Sequence, residues 1–421
     1  MRKLLTALVI AVWVSAQAVT IEECRQMARD NYPLTKSYGI LDLTEQYTLA
    51  TASKAWLPQI QLGAQATWQN NVASYPDALL NVLAMQGIDA KGLRKDQYRI
   101  GAEVQQTVWD GGRIGASKNT VRRQTDEQRR SNDVELYALE QRVDELYFGI
   151  LLLKEQSKAV EAGIELIDSN IKKMESMLRN GVAMQADMDA LKAERLYAEQ
   201  QQANIEAAES NYRRVLALYI GEIDCPELEM PKSPAACDGI RPEHSLFDAK
   251  LATLKAKEEE VKASLRPSIS LFGSTFYGYP GFNSMEAMIN HKWTFNIQVG
   301  ARIAWNISPF YSKKSKLSQI SAQSQYIENQ RKIFEFNNAL QEVGQRGEIA
   351  RLQRIASNDS EIVALRKRVR VAEEAKLREG VINSTQLLQK ITDERNAMIT
   401  EATHIIEILR AEYKLTHTIG K

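Results

Sequence analysis

Residues 293–306 read WTFNIQVGARIAWN, and the way they alternate decides what kind of chain this is. Trp293, Phe295, Ile297, Val299, Ala301, Ile303 and Trp305 fall on one face of an extended strand. Thr294, Asn296, Gln298, Gly300, Arg302, Ala304 and Asn306 fall on the other. From Gln59 to Gln69 the pattern recurs: Ile60, Leu62, Ala64, Ala66 and Trp68 alternate with Gln59, Gln61, Gly63, Gln65, Thr67 and Gln69. Segments 98–109 and 268–279 alternate less cleanly. A half-buried soluble sheet produces the same alternation, so two further features carry the choice. The runs are about 11 to 13 residues, near the roughly 9 to 11 of a tilted membrane strand and longer than the usual soluble strand of about 5 to 6. Trp56, Trp109 and Trp305 also lie at the strand ends nearest predicted helices, while Trp68 and Trp293 lie at the loop ends. Two interfacial aromatic girdles are laid out in this way.

The strands belong to a unit that occurs twice. Pro33 and Pro58 recur as Pro242 and Pro267, each displaced by 209, and LPQIQL at 57–62 returns as RPSISL at 266–271. Trp109 recurs as Trp305, displaced by 196. Leu178-Arg179-Asn180-Gly181-Val182 recurs as Leu377-Arg378-Glu379-Gly380-Val381, and Ile220-Gly221 as Ile419-Gly420, all displaced by 199. An ordered series with locally constant offsets marks a tandem duplication. The first repeat is 19–221 and the second 242–421, joined by a Pro-rich connector at 222–241.

Each repeat reads as short helix, strand, loop, strand, long helix, turn and returning helix. The strands are expected at about 57–69 and 98–109, then 268–279 and 293–306. In the first long helix, about 112–180, Leu136, Leu139, Val143, Leu146, Ile150, Leu153, Val160, Ile164, Ile167, Ile171, Met174 and Leu178 recur at spacings of three and four. Ser157 is the one polar member of this coiled-coil seam. Such a helix is a rod of roughly 100 Å. The return is expected at about 183–220, and in the second repeat the long helix at about 312–379 and the return at about 383–419.

The first eighteen residues, MRKLLTALVIAVWVSAQA, carry Arg2 and Lys3, an apolar run from Leu4 to Val14 and the small-x-small site Ala16-Gln17-Ala18. That is the pattern of a secretory signal peptide, 1–18, cleaved after Ala18. Its loss takes the formal charge of the 421-residue chain from +1 to −1, which favours neither nucleic acid nor a strongly charged partner. No later stretch approaches the roughly 20 apolar residues of a membrane helix, so membrane contact falls to the strands. Four strands cannot close a barrel, and an open edge in lipid leaves backbone groups unsatisfied. A barrel needs at least about eight strands, so the chain is expected to oligomerise, as a dimer, a trimer or more. Cys225 and Cys237 flank a Pro-rich segment within the connector and are candidates for a disulfide in an oxidising compartment. Cys24 lacks the Leu-Ala/Gly run that precedes a lipidated cysteine. The four histidines form no HExxH pair, and neither a GxxxxGK[ST] loop nor a GxSxG turn occurs. No catalytic, cofactor or metal site is expected.

With TIEECRQMARDNYPL at its start, WLPQIQL and VWDGGR around its first strands, and the turns RNGVAMQADMDAL and REGVINSTQLLQK, the chain resembles the outer-membrane efflux protein family, the TolC-like channels. The resemblance covers nearly all of the mature chain. It implies a mainly α fold with membrane β structure: a homotrimer whose chains give four strands each to a twelve-stranded outer-membrane barrel above a periplasmic α-helical tunnel. It further implies a passive exit duct for tripartite efflux or type I secretion in a Gram-negative bacterium, docking a periplasmic adaptor and an inner-membrane transporter. In the family the helix turns dock the adaptor, which assigns that role to Gly181, Val182, Gly380 and Val381. The aperture positions that can carry paired aspartates fall on Gln386 and Gln389, with Asp187 at the first-repeat acidic position. The aromatic and arginine that help latch the tip fall on Leu377 and Ile382. The aperture is therefore expected to be held by packing and neutral hydrogen bonds. The competing reading is an exported periplasmic coiled-coil structural protein without a channel. Neither the cargo, the cognate partners nor the role of loop 70–97 is legible.

Overall fold

The computed structural model describes residues 18–420 except 182, 235–238, 380 and 383. The signal peptide assigned to 1–18 lies outside these residues apart from Ala18, as does Cys237. Two compact units are present, one of residues 40–128 and 247–328, the other of the remainder.

The first unit holds a single antiparallel sheet of β1 (Gln59–Trp68), β2 (Asp96–Trp109), β3 (Ser268–Tyr279) and β4 (Thr294–Ala304), in the order β1-β2-β3-β4. Register sets the faces: Ile60 opposes Val104, Ala64 opposes Ile100, Ile100 opposes Tyr277, and Tyr277 opposes Phe295. One face is thereby apolar across all four strands and open to the surroundings, with Leu62 79% and Val299 78% exposed. The other carries Gln61, Gln65, Arg99, Glu103 and Gln298, and Arg99 Nε donates to Gln65 at 2.8 Å. The weaker alternation of the middle strands has a packing cause. Phe272 and Phe276 stand on the polar face, one beneath the Arg302 guanidinium at 5.0 Å and the other against Phe282 at 5.2 Å. Gly300, opposite Phe272, leaves room for that ring, since a Cβ there would come within 2.8 Å of it. A register shift between Thr107 and Trp109 also breaks the period at the end of β2.

Both loops carry helices that the sequence reading missed, α3 (Asp77–Met85) and α7 (Ser284–Asn290). Beyond the sheet, α4 (Arg113–Arg179) starts at a cap in which Asp110 accepts from Gly112 N at 2.8 Å and Ile114 N at 2.5 Å. After β4, Asn306 accepts from Ser308 N at 3.0 Å, just before α8 (Pro309–Ala356). Trp109 and Trp305 are thus each followed by an Asx turn that leads into a helix.

The second unit is helical and contains α1 (Ile21–Asn31), α5 (Gln185–Ile220), α9 (Asp359–Arg378) and α10 (Ser384–Ile419) together with the distal part of α4. Thr20 and Glu23 close a capping box on α1. Ile21, Cys24 and Ala28 of α1 pack with Leu136, Leu139, Val143, Tyr147, Phe148, Ile150 and Leu151 of α4, Leu216 and Ile220 of α5, and Ile406 and Tyr413 of α10. The connector is part of this core. Val19 pairs with Leu228 in a parallel bridge, and Tyr147 Oη donates to Val19 O at 2.9 Å and Glu229 O at 2.6 Å. Both return helices end on a left-handed glycine, Gly221 at φ 79° and Gly420 at φ 88°.

Where a single helix was expected over 312–379, the chain forms α8 and α9 with a break at Ser357 and Asn358. Consecutive polar residues from Ser357 compete there for the backbone: Ser357 Oγ donates to Arg354 O at 2.7 Å, and Asn358 O restarts the ladder by accepting from Ile362 N at 3.0 Å. The break turns Asp359 inward, where it is buried 2.6 Å from His404 Nδ1. No described helix is long and apolar enough to cross a membrane.

Candidate functional site: helix turns and strand ends

The turn after α4 runs through Asn180 and Gly181, whose φ of 70° lies where a side chain is strained. Nothing lies within 4 Å of where its Cβ would be, so conformation and not crowding asks for glycine. Val182 lies outside the described residues. Asp187 occupies the first turn of α5, and its carboxylate accepts from Met184 N at 3.2 Å. It therefore caps its own helix, at the end where a negative charge is favoured. In the second turn, Val381 N donates to Lys376 O at 2.9 Å, a six-to-one bond across Gly380, which itself lies outside the described residues. Val381 is 71% exposed.

Beneath the turns, Ile167 and Met174 of α4, Met188, Leu191 and Ala198 of α5, Leu377 of α9, and Leu387 and Ile391 of α10 share one core. Ile382 packs against it, so both positions that would carry latch residues in the resembling family are filled by apolar side chains that join the core. Gln386 and Gln389, three apart, are both exposed, while Leu387 and Ile391 face inward.

Next to this core lies a belt of charge that the sequence reading missed. Arg370 pairs with Glu394, and its Nη1 reaches Glu374 at 2.5 Å. Glu374 also takes Lys173 at 3.3 Å, and Arg395 reaches Glu194 at 3.4 Å. Burial opposes the charge on Arg370, but the bonds and fields of Glu394 and Glu374 outweigh it and hold the guanidinium pKa above its ordinary value. Burial also raises Glu374, against which Arg370 and Lys173 prevail, leaving its pKa lowered. Gly163 admits Arg395, since a Cβ there would stand 2.7 Å from Arg395 Cδ. The i,i+4 spacing of Arg370 and Glu374 was the one signal available in the sequence.

At the strand ends all five tryptophans are exposed: Trp56, Trp109 and Trp305 toward the helices, Trp68 and Trp293 toward the loops. Trp293 stacks on Tyr98 at 6.2 Å. Cys225 is part-buried against the α1 core, and its sequence-assigned partner Cys237 is not among the described residues. Cys24 is fully buried. Among the described residues no group of acidic, His or Cys side chains could hold a metal.

The sequence model described as outer membrane efflux protein matches residues 44–220. The fold is shared with solved outer-membrane channels. OprN superposes with a TM-score of 0.68 at 14% identity, covering 95% of this chain and 89% of that one. VceC from Vibrio cholerae gives 0.65 at 12% identity, covering 95% and 96%. MtrE from Neisseria gonorrhoeae, solved in an open state, gives 0.64 at 15% identity, covering 95% and 88%. No curated protein matches the chain significantly.

Proposed function

We propose, from the match of residues 44–220 to the outer membrane efflux protein model and from the fold shared with solved outer-membrane channels, that the chain belongs to that family and is the passive exit duct of a tripartite efflux or type I secretion assembly. The observation that carries the reading is the sheet: one face largely apolar and open to the surroundings, the other polar, and neither β1 nor β4 paired along its outer edge among the described residues. In hydrocarbon every strand edge must be closed, and three chains of four strands make a twelve-stranded barrel with the polar face around a wet lumen. The five tryptophans then sit at the two membrane interfaces. We read residues 19–221 and 242–421 as two copies of one unit, supported by the paired glycine caps and paired Asx caps. Nothing is catalysed; cargo reaches the duct from an inner-membrane transporter through a periplasmic adaptor.

The native mass of detergent-extracted protein from the outer-membrane fraction, corrected for bound detergent, is expected near three chains. A monomer released by osmotic shock without detergent would sink the duct and leave an exported coiled-coil protein.

The turns at Gly181, Val182, Gly380 and Val381 are the surface we assign to the adaptor, supported by the exposed Val381 and the left-handed Gly181. A partner opens the tip only by binding the open arrangement better than the closed one. Gln386 and Gln389 give a neutral aperture, and Asp187 is engaged at its own helix start. Single-channel conductance in planar bilayers should therefore be insensitive to multivalent cations. A block that disappears in Asp187→Asn would move an acidic ring to the first repeat and overturn the neutral aperture.

A further inference from the structure

Between Glu286 and Glu328 the chain holds no acidic residue, yet it carries Lys292, Arg302, Lys313, Lys314 and Lys316. Arg302 is occupied on Phe272. Lys313, Lys314 and Lys316 are exposed at the start of α8 and have no ion-pair partner among the described residues. They do not serve their own helix, because cations at a helix N-terminus oppose its dipole. The first turn of α8 has no acidic residue to offset them.

Their direction is set by their neighbours. Trp305 continues the apolar register of β4 one residue beyond Ile303-Ala304, and Phe310 packs edge-on against it with ring centroids 6.3 Å apart. Phe310 is thus on the apolar side of the sheet. Lys313 and Lys314 follow Phe310 by three and four residues, which places them on the same side of the helix and about 5 Å farther from the strand end. Ile307 and Tyr311, the latter 83% exposed, extend the aromatic and apolar rim between them. The order is therefore apolar sheet face, aromatic rim, then paired ammonium groups.

The geometry points to a docking surface for anionic phospholipid headgroups of the periplasmic leaflet, with Trp305 and Phe310 at the acyl boundary and Lys313 and Lys314 on the lipid phosphates. This rests on the outer-membrane reading above. Continuity with the lipid-facing sheet selects a lipid as the occupant, and the unopposed positive charge selects an anionic one.

The test counts phosphatidylglycerol and phosphatidylcholine retained by the full-length protein in detergent, by native mass spectrometry at low ionic strength. The protein should prefer phosphatidylglycerol. Lys313→Gln with Lys314→Gln should weaken that preference by about fivefold per lysine, about twenty-fivefold together. Lys313→Arg with Lys314→Arg should restore it, and phosphatidylcholine should be unaffected throughout. An extracted oligomer whose preference survives both glutamines, or is lost equally with arginine, overturns this surface alone. Displacement of the lipid by inorganic phosphate would make it a free-anion site, and displacement by poly-glutamate a protein-docking site; either overturns the lipid. A soluble monomer overturns the duct and this surface together.

Discussion

Asp144→Ala is expected to cost the helical unit about 3–5 kcal/mol, because it strands a buried guanidinium. Arg25 donates to Asp144 through Nε and Nη2, each at 2.7 Å, and the two side chains are only 11% and 9% exposed. The pair fixes α1 to α4 in the middle of the α1 core. Removing both charges with well-packed apolar groups is a different change, since the desolvation of each ion is then also removed. Arg25→Met with Asp144→Leu should fall within about 1 kcal/mol of the parent. Neighbouring Arg29–Glu140, with Arg29 42% exposed, should give under about 1 kcal/mol when removed. Denaturant unfolding followed by circular dichroism in detergent separates these cases. A cost for Asp144→Ala no larger than that for Glu140→Ala would show that the bidentate pair is not what holds α1.

Acid should weaken the same unit through His417. Its ring lies 3.9 Å from Tyr137 in a stacked arrangement, and Tyr137 Oη donates to His417 O at 2.8 Å. Burial, then the positive fields of Arg241 and Arg25, lower its pKa from 6.5 to about 4. The unfolded chain therefore binds this proton first. Stability is complete above pH 6.5 and is lost as pH falls from there toward about 4, a window worth roughly 3 kcal/mol at about 1.4 kcal/mol per unit. His417→Phe keeps a ring against Tyr137 and removes the titration. The drop in melting temperature between pH 7 and pH 4.5 should be markedly smaller in this variant than in the parent. Equal drops in both proteins would mean that His417 already takes its proton in the folded state near its ordinary pKa.

The parts of the fold that were legible in the sequence are those where one physical requirement repeats along the chain. Strand alternation from Gln59 and from Trp293 appears as β1 and β4, and the seam residues Leu139, Val143, Ile150, Val160, Ile167 and Met174 are all buried. What escaped was decided across distance. Arg370, Glu394 and Arg395 look like ordinary solvated helix charges until four helix ends pack and leave them 9%, 7% and 5% exposed. The break at Ser357–Asn358 escaped because each residue alone is tolerated in a helix, and only the polar run as a whole competes with the ladder. At the turns, glycine signalled a reversal, which Gly181 makes with a left-handed φ. The capping role of Asp187 was legible only once the start of α5 was placed.

The bridge between Val19 and Leu228 imposes an order on folding. Val19 donates to Glu227 O at 2.8 Å and accepts from Glu229 N at 3.1 Å, so its partners lie 227 − 19 = 208 residues downstream. A chain delivered N-terminus first presents this segment well before the residues that pair with it. Until they arrive, Ile21, Cys24 and Ala28 have only part of their native surroundings. The core around α1 is therefore completed only once the middle of the chain has followed.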